Sequence, residues 1–214
     1  MTETRPSHLK LYRSSLSDEP LTLRGAALAV VSREEIPRRP AFRGSIRLAD
    51  LDNAHDLKAI EAINELFWGC MDQDVFGRNY KILECDNLLA LPAPDEPGAT
   101  DASCHGIAGN VAVTEEKEGW LHVVVFQVWP IWHGRGVGRK LLDAAIAEAR
   151  RRGLRSIKLG TTNDNLPAMY FYQRAGFVME ELVPEETAEA LGIAPTGFAG
   201  IPIRSEIRLR LDVG

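Results

Sequence analysis

The sequence predicts a mixed α/β domain in which helices cover a central β-sheet. Short apolar segments with strand character alternate along the chain with amphipathic helical segments. The segment Gly136–Arg152 gathers its apolar residues on one helical stripe, and Gly153 is a natural stop for that helix. Near the end of the chain, apolar residues and Ser205 alternate with charged residues from Ile203 to Leu211, as in a strand.

The composition is typical of a globular protein that needs no metal or disulfide for stability. The chain has 214 residues, of which 45% are hydrophobic and 26% are charged. A net charge of −5 argues against a nucleic-acid partner, and no apolar run is long enough to span a membrane. The three cysteines are widely spaced and form neither a CxxC pair nor a zinc-ligand pattern. We therefore expect a cytoplasmic protein with reduced thiols.

The organisation along the chain indicates an N-terminal extension at residues 1–44, followed by one domain at residues 45–214. The extension is rich in Arg, Ser, Pro and Glu. Strand 120–129 is apolar on both faces and should be central in the sheet, whereas the acidic turn 115–119 before it should be solvated. Strands are predicted at residues 46–48, 82–91, 107–114, 120–129, 156–162, 178–182 and 203–211, and helices at 57–67, 136–152 and 166–175.

A glycine-rich turn connects the central strand to the strongest helix. Gly134, Gly136 and Gly138 remove side chains where backbone amides would approach an anion. The N-terminus of the following helix presents unpaired N–H groups and a positive dipole end at the same point. Positive charge is added there by Arg135, Arg139 and Lys140. The turn is thus predicted to bind pyrophosphate, although its spacing matches neither GxGxxG nor a Walker motif. A purely structural turn remains the alternative.

Two motifs in this region resemble those of the GNAT acetyltransferases. The first is Val128-x-Pro130 followed by His133-Gly-Arg-Gly136-Val-Gly138, in which His133 stands where the family usually has Gln or Arg. The second motif begins at Asn165 and continues through Ala168, Tyr172, Gly176 and Phe177, with the spacing of the family signature. The resemblance covers residues 45–211 in outline and is most specific over 120–177.

The resemblance implies a GNAT-like fold, with a mixed, mostly antiparallel central sheet flanked by helices. It also implies acetyl-CoA as the cosubstrate and no metal. The implied cofactor-binding residues are Val128, His133, Gly134, Arg135, Gly136, Val137, Gly138, Arg139 and Asn165.

Helix geometry selects one tyrosine of the second motif as a catalytic candidate. Steps of about 100° per residue place Tyr172 on the same face as Ala168, and Tyr170 on nearly the opposite face. A phenol beside the sulfur of coenzyme A could protonate the departing thiolate. The alternative for Tyr172 is plain packing.

The resemblance assigns two further roles to the strand before the glycine turn. The amide of Phe126 corresponds to the family's donor to the acetyl carbonyl, which acts as an oxyanion hole does. His122, six residues before Val128, corresponds to the general base of the histone-acetylating branch. On a regular strand His122, Phe126 and Val128 share one face, but about 13 Å separates His122 from Phe126, so a bulge or a water relay would be needed. A hydrogen-bonded structural histidine is an equal alternative.

These features predict transfer of acetyl from acetyl-CoA to an amine by direct attack in a ternary complex. The acceptor, a small molecule or a peptide, cannot be read from the sequence, although Trp68, Phe76 and Tyr80 fall where this family builds its acceptor pocket. Transfer of a longer acyl group and a non-catalytic acyl-CoA sensor remain as alternatives. The final strands and the N-terminal extension could support a homodimer.

Overall fold

The fold was analysed in a computed structural model, which describes residues 39–184 and 196–214. Three α-helices occur in these ranges: α1 (Ala54–Trp68), α2 (Val137–Arg151) and α3 (Leu166–Arg174). The strands are β1 (Ser45–Leu48), β2 (Asp72–Val75), β3 (Arg78–Lys81), β4 (Asp86–Leu91), β5 (Gly109–Glu115), β6 (Leu121–Val128), β7 (Ser156–Thr162), β8 (Val178–Pro184) and β9 (Ser205–Asp212).

Seven strands form one sheet in the order β1-β4-β5-β6-β7-β9-β8, and β2 and β3 form a separate hairpin. Strands β6 and β7 pair in parallel, while the other neighbours pair antiparallel. The predicted mixed, mostly antiparallel sheet is thereby confirmed, with β6 at its centre.

Helix α1 begins where the sequence supplies a cap. The Asn53 side chain accepts a hydrogen bond from the His55 N–H at 2.9 Å. The helix then buries Ala59, Ile60 and Ile63 completely against the sheet. It ends at Gly69, whose φ of 70° is the left-handed conformation that glycine adopts most readily.

Helix α2 confirms the predicted apolar stripe. Its buried residues are Val137, Leu141, Leu142, Ala145 and Ala149, and Ile146 is partly buried. The predicted stop at Gly153 also fits, since its φ is 71°. This stripe packs on the sheet and fixes the N-terminus of α2 beside the end of β6.

The main differences between prediction and structure are the start of one strand, an additional hairpin and an earlier start of the folded unit. Residues Ile82–Glu84 form a 3-10 turn, so β4 begins only at Asp86. The β2–β3 hairpin was not predicted, because its strands are polar and lack the apolar alternation typical of a strand. Phe42 is buried in the main core, so the folded unit begins before residue 45. The rest of the predicted extension, residues 1–38, lies outside the described residues.

No helix in the described ranges is long and apolar enough to cross a membrane. All three cysteines are free thiols. The same ranges contain no group of three or more His, Cys, Asp or Glu side chains that could hold a metal ion.

A buried carboxylate connects β1 to the start of α1. Asp56 is 1% exposed and accepts hydrogen bonds from both terminal nitrogens of Arg47 and from the Asp50 N–H. The hydrogen bonds from Arg47 are the largest cause that lowers the pKa of Asp56. Together with the bond from Asp50 they hold this pKa below its ordinary value of 3.8. A carboxylate with a lowered folded-state pKa stabilises the fold above its unfolded pKa, and this contribution is lost as the pH falls through the folded-state value.

Asp56→Asn should therefore lower the free energy of unfolding at pH 7 by about 1.5–3 kcal/mol, the contribution of hydrogen bonds to a charged group. The difference from wild type should shrink as the pH falls below 3.8 and through the still lower folded-state pKa, where wild-type Asp56 also becomes neutral. Thermal unfolding from pH 7 to pH 3 measures the deficit and its change with pH. Asp52→Asn, at an exposed position, is the control. An Asp56→Asn deficit that is independent of pH would contradict the assignment.

Candidate active site

Strands β6 and β7 separate partway along their length. Parallel pairing joins Leu121 to Ile157, His122 to Lys158, and Val123 to Leu159, and it stops there. Strand β6 nevertheless continues to Val128 and β7 to Thr162. The two strands therefore leave a slot between them, and in the part of the chain that the structure describes, the side of β6 that faces the slot has no partner strand over residues 124–128.

The backbone of Phe126 faces this slot. The Trp129 N–H donates to the Ala108 carbonyl at 3.0 Å, so the residue 129 amide points toward the β5 side. Because successive amides of a strand point to opposite sides, Gln127 also points toward β5, whereas Phe126 and Val128 point away from it. The predicted donor to an acetyl carbonyl thus lies on the open edge of β6.

The glycine turn lies at the end of β6 and has an open outer surface. Gly134 and Gly136 have φ values of 72° and 87°, which disfavour any residue with a side chain. A Cβ on either residue would meet no atom within 4 Å, so space lies in front of both. Gly136 is also the N-cap of α2 and offers no side-chain cap. The first amides of α2 are thus left for an anion, including that of Val137, whose side chain is buried.

His133 fastens this turn to the end of β6. Its Nε2 lies 2.8 Å from the Val128 carbonyl oxygen and must donate, because a carbonyl only accepts. On the outer side, Arg39 donates to the His133 carbonyl at 3.2 Å. His133 therefore fixes the position of the turn, a role that its imidazole can fill without contacting a cofactor.

The Arg135 side chain does not point toward the open surface, which corrects the sequence prediction of a charge contact. It is buried, donates to the carbonyls of Pro40 and Pro97 at 3.0 and 2.7 Å, and lies 3.5 Å from the Glu96 carboxylate. Its guanidinium also stacks on Trp132 at 4.1 Å. Only the backbone amide of Arg135 remains for an anion.

The cation available in the first turn of α2 is Arg139. Its side chain is 59% exposed and pairs with Asp143 one turn later at 2.9 Å. Such an exposed pair is weak, so Arg139 can leave it for a phosphate. Asn165 has a clear structural role, since its side chain caps α3 by accepting from the Ala168 N–H at 3.3 Å.

The two tyrosines of α3 point in opposite directions, as predicted. Tyr172 is 7% exposed, and its ring centroid lies 6.0 Å from that of Phe126. Tyr170 is 62% exposed, and its hydroxyl accepts from Arg174 at 2.7 Å. Phe126 also lies beside Gly138 of α2. The start of α2, the face of α3 that holds Tyr172, and Phe126 therefore lie on one side of the sheet.

A bulge in β6 changes which residues share a face. Ala112 pairs with Val125 and Val113 with Val123, so Val124 is an extra residue in β6. This places His122 on the face of Val125 and Gln127, and leaves Phe126 and Val128 on the other face. Gln127 donates to Asn64 of α1 at 3.0 Å, which identifies the His122 face as the α1 side. The common face predicted for His122, Phe126 and Val128 is wrong, because it assumed a regular strand.

His122 lies in an aromatic box formed by Phe76, Tyr80 and Trp120. The ring centroids are 4.8, 4.9 and 5.2 Å from that of the imidazole. His122 is fully buried, and neither ring nitrogen has a hydrogen-bond partner among the described residues. Burial, and then the positive charges of Arg78 and Arg208, lower the pKa of His122 to about 3. The imidazole is thus neutral at pH 7 but too weak a base to take a proton from an ammonium, which is unfavourable for the predicted role of a direct general base.

Glu116 extends this box and corrects the prediction of a fully solvated acidic turn. It is 6% exposed and accepts a hydrogen bond from the Tyr80 hydroxyl at 2.6 Å. It also pairs with Arg78 and lies 3.6 Å from His122 Nδ1. The burial of Glu116 has no signal in the sequence, because Tyr80 and Arg78 come from the unpredicted β2–β3 hairpin. Of the aromatic residues expected in an acceptor pocket, Phe76 and Tyr80 join the box, while Trp68 is 41% exposed.

The profile of the Acetyltransferase (GNAT) family matches residues 60–177, which is more than half of the chain. The chain belongs to the GNAT family. This membership places it among the acetyl-CoA-dependent acyltransferases.

Three relatives illustrate the breadth of this GNAT similarity. The uncharacterised protein YxbD of Bacillus subtilis (strain 168) is 37% identical over 79 residues, which cover 35% of this chain and half the length of YxbD. The streptothricin acetyltransferase of Streptomyces lavendulae is 30% identical over 146 residues, covering 57% of this chain and 76% of that protein. A Bacillus subtilis acetyltransferase solved in complex with CoA shares the fold, with a TM-score of 0.59, 19% identity, and coverage of 79% and 99% of the two chains.

A side chain placed on the open surface of the glycine turn tests whether this surface binds CoA. Gly136→Glu places a side chain and a negative charge where the pyrophosphate of CoA would meet the N-terminus of α2, so the affinity for CoA should fall by at least about tenfold. Gly119→Glu is the matched control, because Gly119 also has a positive φ of 82° and open space around it, but lies in the β5–β6 turn. Calorimetry with folded protein gives both affinities. Equal CoA binding by the two variants would refute the pyrophosphate site.

Proposed function

We propose that the protein transfers the acetyl group of acetyl-CoA to an amine by direct attack in a ternary complex. The observation that carries this proposal is the slot between β6 and β7, which has the glycine turn at one end and Tyr172 on one face. The glycine turn and Tyr172 lie on the α2 and α3 side of the sheet, whereas the aromatic box lies on the α1 side. In this proposal the cofactor binds on the first side and the acceptor approaches from the second.

The described residues fit acetyl-CoA in a specific way. The amides of Gly134 through Gly138, the N-terminus of α2 and the Arg139 side chain would hold the pyrophosphate. The slot would take the pantetheine arm, whose amides suit the unpaired edge of β6. The Phe126 N–H, on that edge, would donate to the thioester carbonyl and stabilise the oxyanion that forms during attack.

The reaction requires two proton movements. The amine nitrogen forms a bond to the acetyl carbon, the carbon–sulfur bond breaks, and the thiolate of CoA takes a proton. We assign that proton to the Tyr172 phenol, which lies on the α2 and α3 side beside Phe126. The amine loses its own proton through water, because His122 is buried and its pKa is about 3. His122 is then a positioning residue of the aromatic box.

The acceptor in this proposal is a small-molecule or peptide amine, and the reaction takes place in the cytoplasm, where free cysteines persist. The similarity to a streptothricin acetyltransferase makes streptothricin one compound for an acceptor panel. A homodimer stays a prediction.

Tyr172→Phe tests the acid role, because it removes one hydroxyl and keeps the ring. If the phenol protonates the thiolate, kcat should fall by roughly 10²-fold, while the affinity for acetyl-CoA changes much less. Tyr170→Phe, two residues away and exposed, should change neither quantity. Thiol release from acetyl-CoA, measured with an amine panel, gives the rates.

Two outcomes would contradict this assignment. Equal kcat values for Tyr172→Phe and wild type, with chemistry rate-limiting, would return Tyr172 to a packing role. Tight binding of acetyl-CoA by wild type with no thiol release on a broad panel would favour a non-catalytic sensor over the enzyme.

A further inference from the structure

A carboxylate lies beside the slot on the α1 side of the sheet. Gly160 is the first residue of β7 after its pairing with β6 ends. A Cβ on Gly160 would lie only 3.2 Å from Glu206 Cδ, so the Glu206 carboxylate leans over the space that Gly160 leaves. Glu206 comes from β9, where it pairs with Thr162, and its side chain is 14% exposed. The carboxylate is therefore partly desolvated and close to the point where the strands part.

Glu206 belongs to a group of three charges that does not balance. Arg208 Nε donates to Glu206 Oε1 at 2.5 Å, and another nitrogen of Arg208 donates to Glu181 at 2.8 Å. One cation is thus shared by two carboxylates, which leaves a net charge of −1. No partner for the second oxygen of Glu206 is found in the described ranges.

A second group with the same imbalance lies on the other side of the aromatic box. Arg78 pairs with both Glu116 and Glu118, again one cation for two carboxylates. The box connects the two groups, because Phe76 lies 4.8 Å from His122 and 4.5 Å from the Arg208 guanidinium. The remaining charges nearby cancel, since Lys158 and Arg210 pair with Glu180 and Asp212.

Two polar atoms of the aromatic box, the ring nitrogens of His122, also lack hydrogen-bond partners within the described ranges. His122 is fully buried, so a ligand would meet the carboxylates and not the imidazole. The excess negative charge of the two groups and the adjoining aromatic rings favour a ligand that carries positive charge.

We infer that the acceptor is an amine with a second positive charge, and that Glu206 is the specificity-determining residue that binds this charge. This inference rests on the proposed acetyl transfer. The attacking nitrogen must be uncharged when it attacks, so a negative site can stabilise the reacting acceptor only through a second cation that remains. Glu206 is better placed for this than Glu181, whose side chain is 56% exposed and therefore screened by water and salt.

The experiment compares α,ω-diamines of three to eight carbons with the monoamine of the same chain length, using the full chain and acetyl-CoA. Wild type should prefer the best diamine by at least about tenfold in kcat/KM. Glu206→Gln should remove that preference through a higher KM for the diamine, with little change for the monoamine or for acetyl-CoA. Glu181→Gln, which alters a partner of the same arginine, should keep most of the preference.

A second variant keeps the inference testable if Glu206→Gln does not fold. Gly160→Ala keeps every charge, but its methyl group would lie 3.2–3.4 Å from the Glu206 side chain and should displace the carboxylate. It should therefore also weaken the diamine preference. Thermal melting identifies any variant that is not folded.

The outcomes separate the inference from the proposed reaction. If wild type acetylates monoamines and diamines equally, or if Glu206→Gln weakens both equally, the inference fails and acetyl transfer stands. If wild type acetylates no amine, acetyl transfer fails, and calorimetry of the diamines with the CoA-bound protein decides the inference. Diamine binding that is lost in Glu206→Gln would still support it, and absence of binding would overturn it.

Discussion

The separation of β6 from β7 after Val123 and Leu159 is the constraint on which the site depends. Parallel strands at the centre of a sheet normally satisfy each other's backbone groups, and here five residues of β6 lose that partner along one edge. The amide of Phe126 becomes available for a ligand only because of this loss. The bulge at Val124 directly follows the last residue of β6 that pairs with β7, and it adds local twist. The two strands therefore separate at the same point where the side chains of β6 change face.

A network of buried hydrogen bonds lies behind the glycine turn and holds it in place. Glu96 is buried and accepts hydrogen bonds from the Arg43 and Ala93 N–H groups, besides its contact with Arg135. Burial alone would raise the pKa of Glu96, but these backbone bonds together with the charges of Arg135 and Arg43 hold it below its ordinary value. Arg135 looks like a cofactor ligand in the sequence, yet it contributes by holding the turn from behind. A preorganised turn binds an anion without an ordering cost.

Much of the fold was predictable because its signals are local. The stop of α2 at Gly153 follows from the residue type, and the apolar stripe of α2 and the opposed tyrosines of α3 follow from helical spacing; all three are confirmed. The α1 side of the slot was not predictable, because its contacts are distant in sequence: Glu116 contacts a polar hairpin, and Glu206 of β9 lies beside Gly160 of β7. The bulge at Val124 lies in a run of three valines, and nothing in that run marks the extra residue. The face on which His122 lies could therefore be found only from the pairing register of β5 with β6.

Amide hydrogen exchange with and without CoA tests the central claim, that the slot and the glycine turn form one cofactor site. Binding should increase the protection of residues 124–128 and 134–139, because the ligand would occupy the unpaired edge of β6 and the free amides at the start of α2. Protection should change little in α1 and in the β2–β3 hairpin. Protection of the glycine turn without residues 124–128, or protection elsewhere alone, would contradict the account.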